Sequence, residues 1–286
     1  MSSRRAAFDE LTGHVRRARD IAEQRLEDLR AGLALPPPTL ARRADWLAPH
    51  FRIRKPKGDG PFPVVLMLHG CGGIRAFTDD MAEIAAREGA AAIEIDSYAP
   101  RRISRMAALT TVCTGARLHG RERAGDLYAA LHWVREQSWA DSKRVVAAGW
   151  SHGSWTIMDG LAMRSGAEMR RATGIIDLAD EPLEGLSAAL LTYPYSGAAS
   201  YAGRRNWRMA PRSIAILAGR DHVVGVRVPR MALERQRARG APIEIVHFPN
   251  ATHAFEDGFA EDPRIRFDPE LVAREHALLC DLIGGC

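Results

Sequence analysis

Val145-Val146-Ala147-Ala148-Gly149-Trp150-Ser151-His152-Gly153, with the helical run behind it to about Met163, decides the fold of this chain. Four apolar residues read as a buried strand, and the periodic run reads as a helix. Between them stands Gly-x-Ser-x-Gly. A strand that hands over to a helix so abruptly forces its serine into strained dihedrals and lifts the hydroxyl clear of the backbone. The residues two before and two after must be tiny, because a side chain there would strike the neighbouring strand or helix. The new helix also points free N–H groups at any negative charge that develops beside it. Five residues with three fixed also describe an ordinary glycine-bounded turn; the flanking strand and helix favour the sharper reading.

The alternation continues in both directions. Short apolar strands are expected at 51–54, 64–68, 91–95, 188–191, 214–217 and 243–246, and helices at 78–87, 121–137, 228–239 and 269–283. Buried-type strands separated by helices indicate a mostly parallel, doubly wound α/β sheet covered on both faces. The irregular insertion 165–185 could overhang a site. Residues 1–33 read as one amphipathic helix through Phe8, Leu11, Val15, Ala22, Leu26 and Leu29, stopped by Gly32 and by three prolines at 36–38. The organisation is an N-terminal helical extension, 1–48, before a catalytic domain, 49–286. The apolar stripe of the extension either packs on its own domain or forms the contact of a homodimer.

Composition excludes several classes. The 286 residues are 46% hydrophobic and 26% charged, as expected of a globular chain, and contain no apolar run long enough to span a membrane. The charged N-terminus lacks the apolar core of a secretory signal, so a cytoplasmic location is expected. The net charge of +5 is interspersed along the chain, which argues against a nucleic-acid groove. The lysines are Lys55, Lys57 and Lys143, and none sits in a Schiff-base, Ser-Lys or phosphate-loop context. Cys71, Cys113, Cys280 and Cys286 show no C-x-x-C spacing and read as free thiols.

A serine needs a base, and the base needs an orienting carboxylate. Behind a Gly-x-Ser-x-Gly turn the acid should precede the histidine in the chain. Asp221 follows the strand 214–217, and His253 follows the strand 243–246. Asp177 and Asp180 rank behind Asp221, and His222 and His247 behind His253. A tetrahedral intermediate also needs two N–H donors aimed at its oxygen. One is the amide of His152. The other is placed on Cys71, in the loop His69-Gly70-Cys71-Gly72-Gly73. Cys71 as nucleophile ranks lower. So does zinc held by His69, His152, His222 and His253, whose spacing fits no ligand pattern.

Taken together, the motifs L-H-G-C-G-G, D-S-Y-A-P-R, G-W-S-H-G, A-G-R-D and N-A-T-H-A-F resemble the dienelactone hydrolase family of α/β-hydrolases, over roughly residues 50–285. The resemblance implies the α/β-hydrolase fold, the triad Ser151, Asp221 and His253, and oxyanion donors at Cys71 and His152. It also implies a substrate-binding arginine near Arg101, which would favour anionic esters or lactones. Tyr98, Trp150 and Trp155 could line an acyl pocket. The members that cleave dienelactone carry cysteine where this chain has Ser151, and a glutamate near the oxyanion loop where it has His69-Gly70. These departures point to a general serine esterase or lactonase that needs no metal or organic cofactor. Acyl transfer, amide cleavage and a silent binding role are the rivals.

Overall fold

The computed structural model describes residues 32–284, together with Arg16, Arg19, Ala22 and Leu26. The chain divides after Pro37. Most of the helix expected over 1–33 lies outside the described residues. In that first unit Leu26 and Leu33 are exposed.

The second unit is built on a seven-stranded sheet: β1 (Phe51–Arg54), β2 (Phe62–Leu68), β3 (Ala91–Ile95), β4 (Ala140–Trp150), β5 (Leu186–Thr192), β6 (Arg212–Ala218) and β7 (Ile243–Phe248). Their order is β1-β3-β2-β4-β5-β6-β7, with β1 antiparallel and the rest parallel. The helices are α1 (Leu40–Leu47), α2 (Ala76–Arg87), α3 (Gly120–Arg135), α4 (His152–Ala162), α5 (Ala167–Thr173), α6 (Arg227–Arg237) and α7 (Pro269–Ile283). This is the α/β-hydrolase architecture.

Alternation along each strand divides the apolar residues between two cores. Leu66, Ile93 and Ala147 face Leu127, Leu131 and Leu161 on one side. Met67, Val146 and Leu190 face Met81, Ala85 and Leu279 on the other. Burying each large aliphatic side chain contributes about 1.5–3 kcal/mol, so both faces must be covered for the central strands to stay apolar. Helix α7 shows how local signals set an end. The Asp268 carboxylate accepts from the Leu271 N–H, Pro269 occupies the first turn, and Gly284 closes the helix at φ 83°. Helix α1 packs Ala44 and Leu47 against Ala129 and Trp133.

The register aligns the strand ends. Leu68 pairs with Gly149, Trp150 with Thr192, and Ala218 with Phe248. The loops that follow these strands therefore share one rim. The chain leaves β2 for β3 on one side and returns to β4 on the other, so the crevice of a doubly wound sheet opens between β2 and β4.

Candidate active site

Ser151 stands at that crevice with φ 51° and ψ −107°, a conformation a non-glycine residue adopts only under constraint. Its neighbours explain the constraint. A Cβ on Gly149 would come within 2.6 Å of the backbone of Gly153 and Ser154. One on Gly153 would drive into the carbonyl of Leu68. The tight turn is thus fixed by close backbone approach on both sides. Tyr193 and Ala254, at φ 35° and 52°, are further strained residues at the same rim.

His253 Nε2 lies 3.1 Å from Ser151 Oγ, and His253 Nδ1 lies 2.8 Å from Asp221 Oδ2. Because the carboxylate only accepts, Nδ1 carries the proton and Nε2 is left to accept from the serine hydroxyl. Asp221 is held by the N–H groups of Val223 and Val224, at 2.8 and 2.9 Å. Burial raises its pKa, but the hydrogen bond and charge of His253 and those two amides outweigh burial and hold it below the usual carboxylate range. The rivals lie elsewhere. Asp177 accepts from the Leu40 N–H, His222 pairs with Asp262, and His247 sits within β7. The histidines weighed as zinc ligands go to separate partners. Among the described residues no group of three or more His, Cys, Asp or Glu could hold a metal ion.

The loop after β2 supplies the second wall. The Gly70 carbonyl accepts from His69 Nδ1 at 2.7 Å and from the Gly73 N–H at 3.2 Å. The Cys71 N–H belongs to the same trans peptide and points the opposite way, with no acceptor among the described residues. The His152 N–H opens α4 and is likewise unclaimed, as at any helix start. Between the two segments lies Arg123, fully buried. It donates to the His69 carbonyl at 2.7 Å, to Ser97 Oγ at 2.9 Å and to His152 Nδ1 at 3.1 Å. His152 therefore carries its proton on Nε2, which donates to the Leu118 carbonyl at 2.8 Å. Burial, with the Arg123 charge beside it, pushes His152 down to about 3, so its ring stays neutral. His69 is lowered for the same two reasons.

Four sequence expectations differ from the structure. Cys71 and Cys113 are not free thiols; they form a disulfide. Forty-two residues separate them, so no spacing motif could announce the bond. Arg101 lines neither hollow at Ser151. It is buried, forks onto both oxygens of Asp126 at 2.7 and 2.8 Å, and lies over the Trp46 ring. Tyr98 is buried behind the loop after β2, where its hydroxyl donates to the Cys71 carbonyl at 3.2 Å, and it supports that loop from the rear. Trp150 does border the site, although its Nε1 is spent on Glu275 at 2.9 Å. The insertion 165–185 does not overhang this rim. Segments 105–115 and 254–265 do.

Two hollows meet at Ser151. The larger, about 420 Å³, is bordered by His253 and by Phe77, Leu109, Trp150 and Ile265. The smaller, about 160 Å³, lies towards His152, Trp155, Tyr195 and Ala199. Cys71 and Cys113 line both, so the disulfide stands between them.

A profile of the dienelactone hydrolase family matches residues 51–279. The chain belongs to the dienelactone hydrolase family. It is accordingly a carboxylic ester hydrolase. No curated protein matches the sequence. Among solved structures, a candidate dienelactone hydrolase from Klebsiella pneumoniae subsp. pneumoniae MGH 78578 is similar, with a TM-score of 0.62 and 18% identity. The alignment covers 82% of this chain and 92% of that one. Esterase 2 of Thermogutta terrifontis, solved with butyrate bound, is similar with a TM-score of 0.55 and 18% identity, over 81% of this chain and 86% of its own. The same esterase phosphonylated by cyclosarin gives 0.58 at 19% identity, over the same shares. At these identities the likeness is one of fold.

Proposed function

We propose that this family member is a serine esterase or lactonase that works through an acyl-enzyme. The Ser151–His253–Asp221 relay, at 3.1 and 2.8 Å, carries the reading. Ser151 Oγ attacks the ester carbonyl while His253 Nε2 takes its proton. The carbonyl oxygen, now negative, is received by the amides of Cys71 and His152. His253 returns the proton to the leaving alcohol, and the C–O bond breaks. Water then attacks the acyl-enzyme with His253 again as base, which releases the acid and restores the serine. Asp221 keeps the imidazole in the required tautomer throughout.

The two hollows assign the substrate's ends. The leaving oxygen must reach His253, and His253 borders the larger hollow alone, so the alcohol occupies that side and the acyl group the smaller. Both arginines of the larger hollow are already paired, Arg75 with Asp257 at 2.9 Å and Arg105 with Glu261 at 3.0 Å. No unpaired arginine or lysine is left there for a substrate carboxylate, which favours uncharged esters. We place the protein in solution rather than in a bilayer, since among the described residues no helix is long and apolar enough to cross a membrane. The cytoplasm expected from the N-terminus is a reducing medium in which a bond such as Cys71–Cys113 is uncommon; an oxidising compartment suits it better. A homodimer formed through residues 1–33 belongs to the same reading, and light scattering should then show a chain lacking them as a monomer.

Ser151→Ala should lower p-nitrophenyl ester hydrolysis by at least about 10⁴-fold and abolish labelling by a fluorophosphonate. Undiminished turnover in that variant rejects the assignment.

A further inference from the structure

The rim of the sheet opposite Ser151 carries a second, separate hollow of about 430 Å³. Helix α4 starts beside the serine and ends at Ala162, and α6 follows the Asp221 loop and ends at Arg237. Both therefore run from the catalytic rim to the far one. The ends of these helices and the loop 204–208 form its walls. Arg164, Arg204, Arg205, Arg208, Arg235 and Arg239 line it, and Ala162 is its one apolar residue. Two carboxylates answer them: Glu168 pairs with Arg205, and Glu181 with Arg208 at 2.6 Å. Six cations against two anions leave four positive charges, nearly the whole excess of +5 that the chain carries.

Several of these groups are held in place with donors to spare. Nε and Nη2 of Arg208 and Nε of Arg235 are buried and find no acceptor among the described residues. Leaving a buried donor unmade is costly, and native folds rarely tolerate three in one hollow without something to receive them. Arg235 and Arg205 are not free to swing into solvent. Arg235 Nη2 donates to the Ala202 carbonyl at 2.8 Å, and the Arg205 guanidinium lies 4.0 Å over the Tyr201 ring.

We propose that this hollow binds a small polyanion carrying two or more phosphoryl groups. Arg208 and Arg235 hold it at the floor, and Arg204 and Arg239, both exposed, at the mouth. A guanidinium fork matches two phosphoryl oxygens, and a single monoanion would leave most of the four charges unanswered. The volume equals that of roughly a dozen waters, enough for a chain of phosphates. With almost no apolar lining, recognition runs through phosphoryl oxygens rather than through the body of the ligand.

The test is calorimetric titration of the full-length protein at about 0.15 M salt with tripolyphosphate, adenosine triphosphate and inorganic phosphate. Tripolyphosphate should bind at least about ten-fold more tightly than inorganic phosphate. Adenosine triphosphate that matches it marks the phosphate chain as the feature read, and tighter binding marks a nucleotide as the source. The double variant Arg204→Glu, Arg239→Glu alters exposed positions and should weaken tripolyphosphate binding by about ten-fold or more. Arg208→Gln should do likewise once its melting temperature shows that it folds. Equal affinity for tripolyphosphate and inorganic phosphate overturns the proposal, as does binding that the double variant leaves unchanged. A short DNA duplex that binds more tightly than tripolyphosphate would reassign the surface to nucleic acid.

Discussion

Behind His253 the rim rests on two buried carboxyls. The Tyr193 ring lies 4.5 Å from the His253 ring, and its hydroxyl donates to Glu256 at 2.9 Å. Glu275 accepts from Thr192 Oγ1 at 2.7 Å and from Trp150 Nε1 at 2.9 Å. Burial, and then the neighbouring Glu275, raises Glu256 well above the ordinary range; burial raises Glu275 as well. Glu256 Oε1 and Glu275 Oε2 are buried and receive no donor among the described residues, so the folded site favours a protonated carboxyl. A carboxyl that keeps its proton only when folded makes the native state bind more protons than the unfolded chain. Stability then falls as pH rises from the unfolded value, about 4.3, through the raised one. Glu256→Gln mimics the protonated form. It should be neutral near pH 4 and should stabilise by on the order of 1–2 kcal/mol near pH 8. Melting temperatures at the two pH values check this, and an equal shift at both would refute it. Arg101 teaches the complementary lesson. An arginine after a strand looks the same in sequence whether it greets a substrate or forks onto Asp126.

At the scale of elements, the strap 105–117 and the oxyanion loop depend on each other. A turn of α-helix at Arg105–Ala107 and a wider π-helical turn at Ala108–Val112 bring Cys113 over Cys71. The bond closes a loop of 42 residues, worth roughly 4 kcal/mol if it acts mainly by restricting the unfolded chain. It also anchors the peptide whose amide is proposed to receive the oxyanion. Cys113→Ser, or reduction of the wild type, should lower the melting temperature and reduce kcat/KM by up to about 100-fold, the value of one oxyanion donor. Kinetics that are indifferent to dithiothreitol would show that the loop holds its shape unaided. Elements read well where apolar residues define them: β1 and α7 fall where their patterns put them. Strand β4 begins five residues earlier than its apolar run: Ala140 already pairs with Phe62, the register shifts before Val145, and the polar or half-exposed stretch between them carries no apolar signal.

Across the whole molecule, the sheet separates an apolar rim from a cationic one. On the serine esterase reading, the rim at Ser151 should sort esters by size. A cavity near 150 Å³ accepts a benzene-sized group, so the smaller hollow, about 160 Å³, suits short acyl chains. Butyryl esters should exceed octanoyl esters of one alcohol by about ten-fold or more in kcat/KM. Acetates of bulky alcohols should exceed methyl acetate, and a carboxylate on the alcohol should confer no advantage. A reversed size order would sink the assignment of the hollows alone. Failure to hydrolyse any ester would sink the serine esterase reading itself.

The sequence by itself determined the doubly wound sheet, the serine turn and the order serine, acid, histidine. Strand and helix periodicity, and the small residues a tight turn demands, are local properties written in neighbouring positions. Only the tertiary structure decided that Cys71 meets Cys113, that Arg101 turns inward to Asp126, that Arg123 ties the His69 carbonyl to the His152 ring, and that six arginines from three segments share one hollow. Each of these joins residues far apart along the chain. Their partners are set by how helices pack on the sheet, and no local pattern encodes that.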